Sequence, residues 1–342
     1  MNFREFGKGN YRQLDDYAFG SGGMLFAAPQ LKAALDSVIQ NQESESKPFV
    51  VFPSPQGALI TQEIIETLSH HEHVIIICGH YEGIDERFTE RYVDLEISVG
   101  DCVLTGGEIP AMMIVDSMSR LVPGVVGKGK AVIEDSFYRG MLDNPNYTRP
   151  AIWEGMKVPE VLLSGNDGEI KRWRRRIASE RTISRRPDLL SRASVREYLS
   201  DSVNIAVMIE SENVNLDGLY ELSCAYELNR PYIIAGTHEL RDKIKAKYPE
   251  SKIIGSIKRL TEGKENLLVI KVFSGAKVNS NHSLEIKRRC LEHDGAILFL
   301  FAENEKHLEA VSGISGYIYG RNIDIPLNVK IGISLDKFLG KR

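Results

Sequence analysis

Read along its apolar positions, the chain alternates short β-branched runs with amphipathic stretches. "FVVF" (49–52) and "HVIIIC" (73–78) are two such runs, each ending in a turn, with a helical pattern between them. Strands of a parallel sheet covered on both faces read this way, as unbroken apolar stretches. A short helix is expected over 31–39, further strand material in "DLEISVG" (94–100) and "DCVL" (101–104), and another helix over 110–121. The first 24 residues are polar, aromatic and glycine-rich, and read as loop. From 122 to 168, Gly, Pro and Asn interrupt any period, as in a long connection. A helical, strongly basic segment follows over 169–190. Near 203 the alternation resumes. "NIAVMI", "PYIIAG", "KIIGSI", "LLVIKVF" and "AILFLF" are expected strands, separated by helical segments that run to the end of the sequence. The fold class expected is therefore α/β in both halves. Its domains are a first α/β domain over 1–125, a connection over 126–168, a basic helical domain over 169–200 and a second α/β domain over 203–342.

Composition adds bounds. A length of 342 residues is enough for two cores. The formal net charge of −4 carries no global mark of a nucleic-acid binder, so such a mark must be local. Cys78, Cys102, Cys224 and Cys290 are scattered with no C-x-x-C pair, which argues against zinc and against a disulfide framework. No signal-peptide pattern and no apolar run of about 18 residues is present, so a cytoplasmic protein is expected.

Four glycine-bearing segments in the first half follow strands or loops: "GSGGM" (20–24), "PSPQG" (53–57), "CGHYEGIDERF" (78–88) and "SVGDCVLTGGEIP" (98–110). Singly, each is an ordinary strand-to-helix turn, where glycine is the cheapest residue. Together they would cluster at the carboxyl ends of strands, where open α/β sheets bind ligands. Neither G-x-G-x-x-G nor G-x-x-x-x-G-K-[ST] occurs, so a phosphate cradle is not indicated. Tight loops offering backbone N–H and C=O groups suit a flat, uncharged heterocycle such as adenine.

Among charged groups, Asp85 and Glu86 open a helix, where acids complement the dipole. Arg120 closes the helix after the Gly-Gly turn, and Asp135 lies in "EDSF". Lys171, Arg172, Arg174, Arg175, Arg176, Arg181, Arg185 and Arg186 crowd the basic helix around Trp173, with only Glu180 inside the run to offset them. Such a patch contacts phosphates without reading sequence.

In order, "DDYAFGSGGM", "SPQG", "CGHYEGIDERF", "SVGDCVLTGGEIPAMMIVDSMSRLVPGV", "EDSF", "LDNPNYTRP", "VPEVLLSGN" and "RRPDLL" resemble the bacterial tRNA (guanine-N1)-methyltransferases of the SPOUT superfamily. The resemblance runs from about residue 3 to residue 190. It implies an open parallel sheet with a deep trefoil knot, a homodimer with each active site at the interface, and a tRNA substrate methylated at N1 of the guanosine just 3′ of the anticodon. It implies S-adenosylmethionine in the knot against Phe52, Pro53, Ser54, Pro55, Gly79, Tyr81, Glu82, Ser98, Val99, Gly100, Cys102, Leu104, Gly106, Gly107 and Pro110. Asp135 matches the general base and Arg120 the guanine-contacting arginine; Glu82 matches a position near the methionine moiety and a magnesium site. The family's opening strand and helix precede the segment with which this sequence begins, and "GSGGM" is one residue shorter than the family's loop. A truncated, inactive relative that holds RNA through the basic helix, or the same chemistry on another RNA, would share these motifs.

The second half resembles, at a distance, a further SPOUT-type domain, on its strand order and the closing "PLNVKIGISLDKFLG". Where a cofactor loop would follow "AILFLF" stands "AENEKHLEAV", charged residues in place of glycines. A non-catalytic domain is expected; an unrelated α/β appendage is the alternative.

Overall fold

The computed structural model describes residues 2–20, 23–41, 46–80, 82–126, 135–199, 202–274, 282–318 and 325–340. The chain divides into two compact units, Met1–Glu134 and Asp135–Arg342.

The first unit is built on a three-stranded sheet of order β4-β3-β5, from β3 (Phe49–Leu59), β4 (Val74–Ile76) and β5 (Leu95–Ser98), all parallel. Alternation along β3 assigns its faces. Val50 and Phe52 join Leu31, Leu35 and Phe88 of helices α1 (Ala28–Gln40) and α3 (Glu86–Tyr92). Val51 turns the other way, onto Ile65, Leu68 and Ile114 of α2 (Gln62–Ser69) and α4 (Glu108–Ser119). Caps fix where helices begin: Thr61 accepts from Ile64 N at 3.3 Å, and Asp85 accepts from Arg87 N at 3.0 Å. The Arg87 guanidinium also forks onto Asp85 and holds its carboxyl below the ordinary range.

Two expectations for this unit need correcting. The first 24 residues are not wholly loop, because β1 (Asp15–Tyr17) pairs antiparallel with β2 (Met24–Phe26). Strands of three residues are too short for alternation to show. "DCVL" is not a strand; 101–104 is irregular and exposed.

The second unit carries a six-stranded sheet of order β10-β9-β8-β12-β11-β13, entirely parallel. Its strands are β8 (Val203–Ile209), β9 (Tyr232–Ala235), β10 (Lys252–Ile254), β11 (Leu267–Ser274), β12 (Ala296–Ala302) and β13 (Ile314–Ile318). The first five lie where the apolar runs place them. β13 escapes a reading of apolar runs because Gly316 interrupts it; a Cβ there would stand 3.3 Å from the Phe338 ring, so the gap accommodates that ring. Ahead of the sheet come a hairpin of β6 (Ile152–Trp153) and β7 (Met156–Lys157) and the basic helix α5 (Asp167–Arg185), capped by Asn166. Helices α6 (Leu216–Ala225), α7 (His238–Lys247), α8 (His282–Glu292) and α9 (Leu327–Phe338) accompany the strands.

Met141, Leu190, Ala193, Val195 and Leu199 share one core with Ile205, Phe299 and Phe338, so the segment carrying the basic helix is continuous with this sheet's packing. Buried Lys287 of α8 donates to Ala193 O at 2.7 Å, and Val195 N donates to Leu339 O at 2.7 Å.

Candidate active site

A cavity of about 300 Å³ opens at the carboxyl ends of the first unit's strands. Three pieces of backbone frame it. The first is a bulge: Pro53 and Ala58 of β3 both register with Ile97 of β5, so the chain between them loops out and brings Ser54, Pro55 and Gln56 to the wall. The second follows β4 (Gly79, His80, Glu82), and the third follows β5 (Ser98, Val99, and 102–107).

Gly79 and Gly107 answer to close approach rather than to positive φ. Gly107 N donates to Gly79 O at 2.8 Å, and a Cβ on Gly107 would lie 2.8 Å from Cys78 Cα. A Cβ on Gly79 would lie 2.9 Å from the Phe52 ring. Main chain thus meets main chain across the wall, and side chains larger than hydrogen are excluded. His80 and Gly106 form an isolated bridge, and His80 Nε2 bonds the Glu108 carboxylate at the start of α4. That hydrogen bond holds the Glu108 carboxyl below its ordinary range. Burial, then the Glu108 charge, push the Cys78 thiol up, which favours its protonated form.

Of the residues named for the donor, Phe52, Pro53, Ser54, Pro55, Gly79, Glu82, Ser98, Val99, Cys102, Leu104, Gly106, Gly107 and Pro110 line this cavity. Gly100 is not on its wall; it holds φ of 144° and accepts from Ser98 Oγ at 3.1 Å. Tyr81 lies outside the described residues. His80, Gln56, Glu86, Thr89, Val103 and Thr105 also line the cavity and are not among the residues the resemblance names for the donor. His80 stood beside Gly79 in "CGHYEG", but its partner Glu108 is 28 positions away, which only folding brings close.

Arg120 caps the C-terminus of α4, its N–H donating to Asp116 O at 3.3 Å, and its side chain is exposed. Asp135 is exposed and is the first residue of the second unit. The loop it opens is tied to the basic helix. Phe137 holds φ of 75° and donates to Met141 O at 2.8 Å, Leu142 N donates to the buried Thr182 Oγ1 at 2.9 Å, and Arg186 lies over the Phe137 ring.

On the helix itself, Arg176 pairs with Glu180 at 3.0 Å, and Arg186 forks onto Asp188, holding that carboxyl low. Lys171, Arg172, Arg174, Arg175 and Arg185 are exposed, and Arg181 is half-buried. Among the described residues, no three His, Cys, Asp or Glu side chains gather as a metal group, so a magnesium site at Glu82 has no ligand set in the structure. No described helix is long and apolar enough to cross a membrane.

Comparison with known proteins bears on this geometry. The sequence profile of the tRNA (Guanine-1)-methyltransferase family matches residues 1–192. The chain belongs to that family. A tRNA (guanine-N(1)-)-methyltransferase of Moorella thermoacetica is 50% identical over 196 residues, 57% of this chain and 78% of its own length. One from Ruminiclostridium cellulolyticum is 46% identical over 200 residues, 58% of this chain and 85% of its own. One from Bacillus subtilis is 49% identical over 191 residues, 56% of this chain and 78% of its own. The match ends ahead of β8. Membership makes the chain an enzyme of methyl transfer to guanine in tRNA.

Proposed function

We propose that the first unit's cavity binds S-adenosylmethionine and that the enzyme methylates N1 of the guanosine just 3′ of the tRNA anticodon. The observation that carries this reading is the cavity itself, at the strand ends of a parallel sheet, walled by three main-chain segments, two of them joined by the Gly107 N–Gly79 O bond. Its backbone N–H and C=O groups suit the adenine, and the volume suits a small ligand held in a pre-formed pocket. When bound, the donor supplies a methyl group on a sulfonium leaving group.

The protein's own residues then have separate tasks. Guanine N1 carries a hydrogen and is a poor nucleophile at neutral pH. The Asp135 carboxylate takes that proton. The N1–C bond forms as the methyl–sulfur bond breaks, and no covalent enzyme intermediate is needed. Negative charge that develops on O6 is received by the Arg120 guanidinium. Pocket walls hold donor and acceptor in line, a positioning task, and the target base leaves its stack to enter. Lys171, Arg172, Arg174, Arg175, Arg176, Arg181, Arg185 and Arg186 contact RNA phosphates.

The reading includes the family's knot and dimer. Helix α4 exposes Ile109, Met112, Met113 and Val115, an apolar face beside the cavity-lining Pro110. Exposed apolar side chains gathered on one helix suit an interface, and a second copy is the occupant this reading assigns. In this account 1–125 is the catalytic domain, 126–168 the linker bearing Asp135, 169–200 the RNA-binding helical domain and 203–342 a non-catalytic SPOUT-like domain.

Incubation of the protein with radiolabelled S-adenosylmethionine and an unmodified tRNA transcript tests the reading. Label is expected as 1-methylguanosine 3′ of the anticodon. RNA binding without incorporation would show an inactive relative, and label on another nucleotide would overturn the substrate assignment.

A further inference from the structure

Within the second unit, the basic helix does not face open solvent all round. Glu169, Arg172, Trp173, Arg176 and Ser179 recur at helical spacing and form one wall of a cleft of about 560 Å³. Leu291, His293 and Asp294, at the end of α8 and in the turn before β12, form the opposite wall, and Tyr198 and Leu199 line the cleft between them. The cleft therefore joins a helix inside the family match to a domain outside it.

Its chemistry is specific. Arg176 has Glu180 as partner, but Arg172 and Arg175 have no carboxylate within ion-pair distance among the described residues. The cleft sets three guanidinium groups, those of Arg172, Arg175 and Arg176, against two acids, Glu169 and Asp294, an excess of one. Guanidinium groups match phosphate oxygens in bidentate fashion, and Trp173 offers a ring on which an unpaired base can stack. Burial pushes the pKa of Tyr198, which also lines the cleft, up from its ordinary value. Arginines interleaved with an aromatic in a groove wide enough for a nucleotide are the features of a single-strand site.

We infer that this cleft holds an unpaired stretch of the tRNA, phosphates toward Arg172 and Arg175 and a base against Trp173, with the C-terminal α/β domain as its far wall. The inference rests on the tRNA reading. The Asp135 loop is anchored at Thr182, and Arg172 lies ten residues back along the same helix, roughly 15 Å at the helical rise. One strand can thus engage both, and the C-terminal domain enlarges the RNA footprint without a catalytic step of its own.

The test uses the full chain and an unmodified tRNA transcript, with affinity measured across salt concentrations. Arg172→Ala is expected to reduce the slope of log K against log salt by about 0.7, one single-strand phosphate contact. Asp294→Arg, on the far wall, is expected to tighten binding several-fold and steepen the slope by a similar amount. Asp242→Arg, on α7 and outside the cleft, adds the same charge and should do neither. In a Trp153→Phe background, tRNA is expected to quench Trp173 emission. If Asp294→Arg behaves as Asp242→Arg does, or Trp173 emission is unmoved by bound tRNA, the cleft is not an RNA site and the inference fails, while the tRNA reading stands. If the wild-type chain binds no tRNA at any salt concentration, both fail.

Discussion

The two units present the same architectural end of a parallel sheet in opposite conditions. In the first, the strand ends carry Gly, Ser and Pro, and their loops frame an open cavity. In the second, the corresponding end is closed by its own carboxylates. Glu303, directly after β12, accepts from Glu210 N, from Ser211 N at 3.0 Å and from Ser211 Oγ at 2.9 Å, beyond the end of β8. Glu305 accepts from Ser274 N at 2.8 Å and Ser274 Oγ at 2.6 Å at the end of β11, and pairs with buried Lys330 of α9. Burial pushes the Glu305 carboxyl up, but Lys330 and Ser274 outweigh it and hold the group ionised. Among the described residues, what remains near there is a cavity of about 180 Å³ beside Ser211 and Lys243. Strand ends offer N–H groups to whatever anion or dipole arrives; here side chains of the same chain arrived first. Architecture alone therefore does not make a site, and the residues after each strand decide whether one is available.

Substitutions can break this contrast, beginning with the largest effect. Arg120→Ala is expected to lower the single-turnover methyl-transfer rate roughly 10²–10³-fold, with donor affinity in equilibrium dialysis unchanged. An unchanged rate would remove Arg120 from the chemistry. Gly107→Ala, which sets a methyl against Cys78 Cα, is expected to weaken donor binding at least about tenfold and lower the first unit's melting temperature, as forced overpacking does. Gly236→Ala is the matched change after β9; nothing lies within 4 Å of its Cβ, so neither property should move. Equal effects of the two would sink the contrast.

Smaller effects belong to the second unit. Lys287 is buried, and burial lowers its pKa to about 8. Between that value and lysine's ordinary one, the unfolded chain holds a proton that the folded chain has released. Folding stability in this unit should therefore rise with pH across the window, on the order of 2 kcal/mol. Lys287→Met should lack the gain, which urea unfolding at pH 7.5 and pH 10 reads directly. Glu303→Ala should destabilise the second unit by about 1 kcal/mol and leave the methyl-transfer rate unaltered; a large rate loss would place the closed strand ends in the reaction.

Much of this was legible in the sequence wherever apolar runs were long or motifs contiguous. "FVVF", "HVIIIC" and "AILFLF" became strands because each could be buried on both faces. Residues of "SPQG", "CGH" and "LTGG" reach one cavity because the β3 bulge and the turns after β4 and β5 open at the same end of one sheet. What stayed hidden depends on distant partners. β1 and β2 are three residues each, too short to show a period, and the four-residue bulge in β3 shows only against the register of β5. The His80–Glu108 bond joins the turn after β4 to the start of α4, which the Gly106 bridge and the Gly107–Gly79 bond bring together. Likewise, Met141 and Leu190 read as parts of a connection and a basic segment, yet they complete the second sheet's core.

In the proposed function, Asp135 is the base for the guanine N1 proton. Single-turnover transfer from labelled S-adenosylmethionine to an unmodified tRNA transcript, wild type against Asp135→Ala, tests this most directly. The account predicts a rate loss of about 10²–10⁴-fold, with donor and tRNA affinities within about twofold of wild type. Transfer by Asp135→Ala at the wild-type rate would contradict it.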